Sequence, residues 1–203
     1  MMKKLPDRLL IATQNKGKIN EIRALLKDIP VILLPLGSFP HLPDVLEDGE
    51  TFRENALKKA RITAHSSGIV TLADDSGLCV DALDGRPGVL SARYGGQGAT
   101  DAEKCVRILR EMEQVPEGLR TARFVCIIAL VTPQGEEKVF EGMCEGKIIR
   151  EIRGTAGFGY DPIFYYPDAG CTFAEMDSEA KNRVSHRGRA LHEFRHHLKE
   201  LSR

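Results

Sequence analysis

The sequence predicts an α/β fold built on a mixed sheet. Three observations carry that expectation. Short apolar runs in the first hundred residues alternate with patterns of helical period, two longer apolar runs are joined directly by a turn sequence, and 203 residues suffice for one sizeable core. Helix-linked strands together with a direct hairpin imply a mixed sheet. The whole chain, 1–203, is read as a single domain.

The elements follow in order. "RLLIAT" is a short strand, and in "QNKGKINEIRALLKD" Ile19, Ile22, Leu25 and Leu26 recur at helical spacing. "VILLPL" is a second strand, after which Pro40 and Pro43 mark a loop. Thr51 and Glu54 form a capping box for a helix whose inner face is Phe52, Ala56, Ala60 and Ala64. "IVTLAD" is a buried strand ending at the acidic pair, and "GLCVDAL" pairs with a neighbour. "GRPGVLSARYGGQG" is a Gly-rich loop closed by a second capping box, Thr100 and Glu103. The stripe expected for that helix is Ala102, Cys105, Val106, Leu109 and Met112. "TPQGEE" signals a hairpin inside "ARFVCIIALVTPQGEEKVFEGMCEGKII". Leu191, Phe194, Leu198 and Leu201 give a docked terminal helix.

Composition restricts the function classes. Lys plus Arg and Asp plus Glu both number 29, so the formal charge is zero and no global field draws nucleic acid or an anionic membrane. Any anion must be held locally. The five cysteines, Cys79, Cys105, Cys126, Cys144 and Cys171, include no C-x-x-C pair and read as reduced core thiols. The run "LLIA" is too short for a signal sequence, and no stretch is long enough to cross a bilayer. The expected protein is soluble and cytoplasmic, with neither nucleic acid nor membrane as partner.

Four segments could bear chemistry. In "LADDSG" a core strand runs into adjacent carboxylates, Asp74 and Asp75. Neighbouring like charges raise each other's pKa, so either a turn keeps both wet or a cation, most simply a divalent metal, neutralises them. "ATQNKGK" lies at a strand-to-helix junction, where backbone N–H groups and the helix dipole favour an anion. It is not a Walker A loop, because Ile19 stands where that motif needs a hydroxyl, and a capped helix with a surface lysine would also explain it. In "GTAGFGYDPIFYYP" the glycines space Phe158 and Tyr160, which could stack on a base or form a bent core strand. "KNRVSHRGRAL" carries the donors Lys181, His186 and Arg187 just before the terminal helix, suited to a carbonyl or phosphate oxygen or to a solvated turn. His192, His196 and His197 read as surface residues, and His41 and His65 carry no signal of a site. No cysteine or serine has the partners of a nucleophile. An anion loop, an acidic pair, an aromatic-glycine segment and a basic clamp together suggest a nucleotide polyphosphate with a metal.

"ATQNKGK", "TFRENALKKA", "LADDSGLCVDALDGRPGVLSARYGG", "GFGYDPIF" and "SHRGRAL" occur in the order seen in the inosine triphosphate pyrophosphatase family, which the chain resembles from Leu10 to Leu191. The resemblance implies a mixed, elongated and curved sheet flanked by helices, with two lobes around an active cleft. It also implies a homodimer, a Mg²⁺ requirement, and hydrolysis of dITP, ITP and XTP to monophosphate and pyrophosphate, which clears deaminated purines from the nucleotide pool. By the same resemblance Thr13, Gln14, Asn15, Lys16, Gly17 and Lys18 bind the triphosphate. Asp75 is the proton acceptor and a metal ligand with Glu47, and Ser76 contacts substrate beside Asp74. Phe158, Gly159, Tyr160 and Asp161 hold the nucleoside. Lys181, His186 and Arg187 recognise the purine, while Asn55 and Lys59 are auxiliary phosphate contacts. Two other readings stay open: a kinase or γ-phosphatase using the same loop, and a nucleic-acid module.

Overall fold

In a computed structural model of the chain, residues 4–96 and 98–202 are described; Gln97 of the Gly-rich loop therefore lies outside the described residues. The strands are β1 (Arg8–Ile11), β2 (Ile32–Pro35), β3 (Thr71–Val80), β4 (Thr121–Val131), β5 (Glu137–Ile148), β6 (Phe164–Tyr166) and β7 (Cys171–Thr172). They form one seven-stranded sheet in the order β2-β1-β3-β4-β5-β6-β7. β1 pairs in parallel with β2 and β3, whereas β6 pairs antiparallel with β5 and β7, so the sheet is mixed as the alternation of connections predicts. The helices are α1 (Lys16–Leu25), α2 (Phe52–Ser67), α3 (Asp101–Glu111), α4 (Ser178–Val184) and α5 (His186–Leu201). Both capping boxes form, at Thr51 with Glu54 and at Thr100 with Glu103. Among the described residues no helix is long and apolar enough to cross a membrane.

The chain divides into two compact units, each discontinuous in sequence. The first comprises the chain up to Asp75, Cys126–Gly142 and the chain from Arg187 onward; the second comprises Ser76–Val125 and Met143–His186. In the first, Leu9 and Ile11 of β1, Ile22 of α1, Ile128 and Leu130 of β4 and Leu191, Phe194 and Leu198 of α5 form a buried cluster. Ala56, Ala60 and Ala64 of α2 pack with Ala12, Ala73, Ile127 and Ala129. Small side chains at one helical face let α2 approach the sheet closely. In the second unit Leu78 and Val80, Ile108 and Met112, and the aromatic group Phe124, Phe164 and Phe173 make the core. Phe124 and Phe164 have ring centroids 4.6 Å apart, within the range in which tilted rings attract.

Four expectations are corrected. β3 does not end at the acidic pair but continues through "DDSG" as a ten-residue strand. The inner stripe of α3 is Cys105, Ile108 and Met112, with Leu109 half-buried against the same core as expected, whereas Val106, 54 % exposed, faces outward with Ala102, because the 3.6-residue period turns them off the buried face. His197 is buried rather than on the surface. Its Nδ1 lies 3.0 Å from Lys138 Nζ, and burial together with that ammonium lowers its pKa. Lys181 belongs to a separate short helix, α4, started by Asp177, whose side chain accepts from the Ala180 N–H.

Just past Asp75 the strand makes a close approach at Gly77. A Cβ there would lie 2.3 Å from Ser91 Oγ and 2.6 Å from the Gly88 carbonyl oxygen. Ser91 Oγ in turn accepts from the Leu78 N–H at 2.9 Å and donates to the Gly88 carbonyl at 2.6 Å. Gly77→Ala is therefore expected to destabilise the protein by about 1–3 kcal/mol, the usual range for overpacking. Urea unfolding checks it: an unchanged midpoint would mean the Gly88–Ser91 segment gives way freely.

Candidate active site

The first unit gathers the phosphate-loop, acidic and lysine residues. Asn15 caps α1, its Oδ1 accepting from the Lys18 N–H at 3.1 Å, while its own N–H donates to Thr13 Oγ1 at 3.2 Å. Thr13 to Lys18 thus form an ordered turn at a helix start, with Gln14, Asn15 and Lys16 exposed. The helix places Lys18 so that its ammonium meets Asp74 Oδ1 at 2.5 Å.

Asp74 is 0 % exposed, which excludes the wet-turn alternative. Arg187 Nε donates to its Oδ2 at 2.7 Å, and the Cys126 thiol donates to the same oxygen at 3.3 Å. Burial alone would raise the Asp74 pKa; the charges of Arg187 and Lys18 outweigh it and hold the carboxyl well below the ordinary range. Arg187 is 2 % exposed and also donates through Nη1 to Glu21 Oε2 at 2.5 Å. The guanidinium expected to reach a purine is thus held by two carboxylates of its own unit.

Asp75 has the opposite environment. It is 5 % exposed, and burial raises its pKa to about 6, opposed by the charges of Lys18 and Lys59 and assisted by those of Glu47 and Asp74. Lys59 is ion-paired with Glu47. Asn55, expected to touch phosphate, is committed to Gly49: its Oδ1 accepts from the Gly49 N–H at 2.8 Å and its Nδ2 donates to the Gly49 carbonyl at 3.4 Å. That clamp fixes the loop bearing Glu47 against α2. Among the described residues no three His, Cys, Asp or Glu form a metal cage. Two carboxylates, Glu47 and Asp75, nevertheless suit a hard cation such as Mg²⁺, which takes one or two carboxylates and completes its shell with phosphate and water.

The second unit gathers the aromatic-glycine segment with Lys181. Asp161 Oδ2 accepts from Lys181 Nζ at 2.6 Å and from the Phe158 N–H at 2.9 Å. A Cβ at Gly157, whose φ is +75°, would stand 2.1 Å from that oxygen, so the glycine makes room for the carboxylate that ties the turn. Lys181 Nζ lies 4.8 Å from the Phe158 ring centroid, a cation–π contact. Phe158 keeps a half-buried ring. Tyr160, expected to offer a face to a base, is instead 4 % exposed in the core, its hydroxyl donating to the Ser91 carbonyl at 2.8 Å. Burial raises its pKa further. His186 stacks on Phe124 with centroids 4.6 Å apart and planes at 11°. Ser76, in β3, is partly exposed.

Sequence reasoning missed Glu21, Ser91 and Asp101, and it read Cys126 as a core thiol without its bond to Asp74. Glu21 follows Lys18 by three residues on α1, a spacing that marks a shared helical face, but nothing local ties it to Arg187.

Two outcomes follow for stability. Arg187→Ala leaves Asp74 buried with one cation fewer, and a loss of about 3–5 kcal/mol is expected in urea unfolding, as for breaking a buried pair. Asp75 is different in sign. Because its folded pKa lies above the unfolded value, its contribution is full at low pH and is lost as pH rises from about 4 through about 6. Without added metal, Asp75→Asn should raise stability above pH 7 by on the order of 2 kcal/mol and leave it unchanged near pH 4. A lower Tm for the variant at pH 8 would contradict the electrostatic reading of Asp75.

Residues 9–197 match the model of the Ham1 family. A dITP/XTP pyrophosphatase of Geobacter sulfurreducens is 54 % identical over 191 residues, covering 94 % of this chain and 96 % of that protein. Another, from Halalkalibacterium halodurans, is 50 % identical over 182 residues, with 90 % and 94 % covered. Among solved structures, a HAM1 protein from Coxiella burnetii superposes with a TM-score of 0.88 at 44 % identity, covering 95 % of this chain and 98 % of that one. The Ham1 protein of Staphylococcus aureus gives 0.85 at 38 % identity, with the same coverage. The buried acidic pair, the capped loop before it and the aromatic-glycine turn therefore belong to a member of the Ham1 family.

Proposed function

We propose that this chain hydrolyses non-standard purine nucleoside triphosphates, dITP, ITP and XTP, at the α-β phosphoanhydride, releasing a monophosphate and pyrophosphate. The reading is supported by one observation above the rest: a buried carboxylate, Asp75, held near pKa 6 beside Lys18 and Lys59 in the unit that carries the capped loop. A base needs a pKa near the working pH, and burial supplies it. The two pyrophosphatase relatives support the substrate class.

In this reading the backbone N–H groups and side chains from Thr13 to Lys18, with the positive end of α1, bind the triphosphate. Lys18 and Lys59 offset charge on the phosphoryl oxygens, and Asp75 accepts a proton from the attacking water. Asn55 serves by fixing the Glu47 loop. Glu47 and Asp75 would hold Mg²⁺, which when bound supplies charge neutralisation at the phosphates. Phe158 offers a ring to the base, with the Gly159, Tyr160 and Asp161 backbone framing it and Ser76 as a further contact. Lys181 and His186 supply donors suited to a purine 6-oxygen. Adenine, with an amino group there, would leave such donors unpaired at about 1–3 kcal/mol each. We assign Arg187 to the purine only indirectly, through its grip on Asp74. Reduced thiols support a cytoplasmic setting, where the activity would clear deaminated purines from the nucleotide pool, and the family resemblance supports a homodimer.

The test is direct. With Mg²⁺ present, dITP, ITP and XTP should each give monophosphate and pyrophosphate, with GTP and ATP far slower, when products are separated chromatographically. Orthophosphate and diphosphate would instead select a γ-phosphatase. Asp75→Asn should lower kcat by about 10²–10⁴-fold, the range for losing a general base.

A further inference from the structure

The turn bearing Phe158 is gripped from outside by a residue that none of the motifs singles out. Asp101 opens α3, and its Oδ2 accepts from the Gly159 N–H at 2.7 Å. Its other oxygen, Oδ1, accepts from Lys104 Nζ at 3.2 Å, which fixes the carboxylate. One helical turn on, the Cys105 thiol donates to the Gly159 carbonyl at 3.4 Å. Residues four apart share a helical face, so α3 binds both polar groups of one residue with a matched acceptor and donor. Burial, with the nearby charges of Asp101 and Asp161, raises the Cys105 pKa to about 12, so the thiol keeps its proton.

The platform is anchored at its other end as well. Arg120, fully buried, donates to the carbonyls of Met112 and Val115 just past α3 and to those of Ile148 and Ile149 at the end of β5. Phe158 thus sits between two carboxylate-bound N–H groups, its own on Asp161 and that of Gly159 on Asp101. Gly159 has a φ of +63°, in the left-handed region that favours glycine.

We propose that Asp101 is a positioning residue for substrate binding: through the Gly159 N–H it sets the orientation of the turn that presents Phe158 to the base. The inference rests on the nucleoside-binding role given to that turn above. It makes Asp101 a determinant of affinity for the nucleoside part of the substrate and not for its phosphates. A merely structural role is the competing explanation, since an acid in a first turn also stabilises a helix through its dipole.

The experiment uses the full-length protein with Mg²⁺ and dITP. Asp101→Ala should raise KM about 10-fold with kcat within about 3-fold, as expected for a lost hydrogen bond to a charged group. Inhibition by inorganic pyrophosphate, which lacks a nucleoside, should keep its constant. Asp101→Asn retains an oxygen acceptor and should recover most of the affinity. Glu103→Ala breaks the capping box of the same helix without touching the turn, so it should lower Tm and leave KM unchanged. Phe158→Ala tests the underlying reading by itself. If it raises KM while Asp101→Ala does not, the positioning role is overturned and the nucleoside-binding turn stands. If neither changes KM, both fall. Equal increases in Asp101→Ala and Glu103→Ala would reduce Asp101 to helix scaffold.

Discussion

The ion cluster on Asp74 is the constraint from which the first unit takes its order. A carboxylate with no exposed surface requires compensation, and here it comes from Lys18 in the first helix and Arg187 in the last. These partners lie 56 and 113 residues away in sequence. The cluster therefore ties the start of α1 and the start of α5 to the middle of β3. Each cation does more than neutralise: α1 also presents the Thr13 to Lys18 turn, and Arg187 extends to Glu21 on the same helix. Removing one partner leaves another charge buried, which makes the cluster specific as well as costly.

The same cluster divides the work between adjacent acids. Successive side chains of a strand point to opposite faces, so Asp74 and Asp75 meet different surroundings although their sequence positions touch. Asp74, bound on both oxygens, stays ionised far below neutrality. For Asp75 burial outweighs the nearby lysine charges, and its pKa rises to about 6. Two carboxylates pushed apart in pKa are a recurrent arrangement for acid–base chemistry. The acidic pair in an apolar strand is thus accommodated by asymmetry: Asp74 is ion-paired within its unit, while Asp75 has the raised pKa that its proposed role as a base needs.

What was legible in the sequence was what depends on near neighbours. The capping boxes at Thr51 and Thr100, the hairpin at "TPQGEE" and the capped loop before α1 are set by residues three to six apart, and all of them form. The fates of Arg187 and Tyr160 were not legible, because an arginine beside a histidine reads the same whether it faces solvent or a carboxylate 113 residues upstream. A tyrosine between glycines likewise looks available until Ser91 is seen to accept from its hydroxyl. The continuation of β3 escaped for a related reason. Adjacent acids argue against a strand unless their countercharges are known, and those come from distant helices.

Stability and reactivity conflict at one residue in particular. The ion pairs on Asp74 and Asp161 and the packing of alanines on α2 all favour the folded chain, whereas ionised Asp75 opposes it. A purely structural sequence would have an amide or an apolar residue there. Retaining a carboxylate whose pKa burial has raised is a local inconsistency of the kind that accumulates at functional sites, where a fold accepts a strained charge that chemistry requires. The surrounding order explains how the strain is borne: Asn55 fixes the Glu47 loop, Asn15 fixes the lysine-bearing turn, and the Asp74 cluster fixes the strand. Each of these contacts restrains a neighbour of Asp75, which favours a carboxylate that stays buried with the raised pKa on which its proposed role depends.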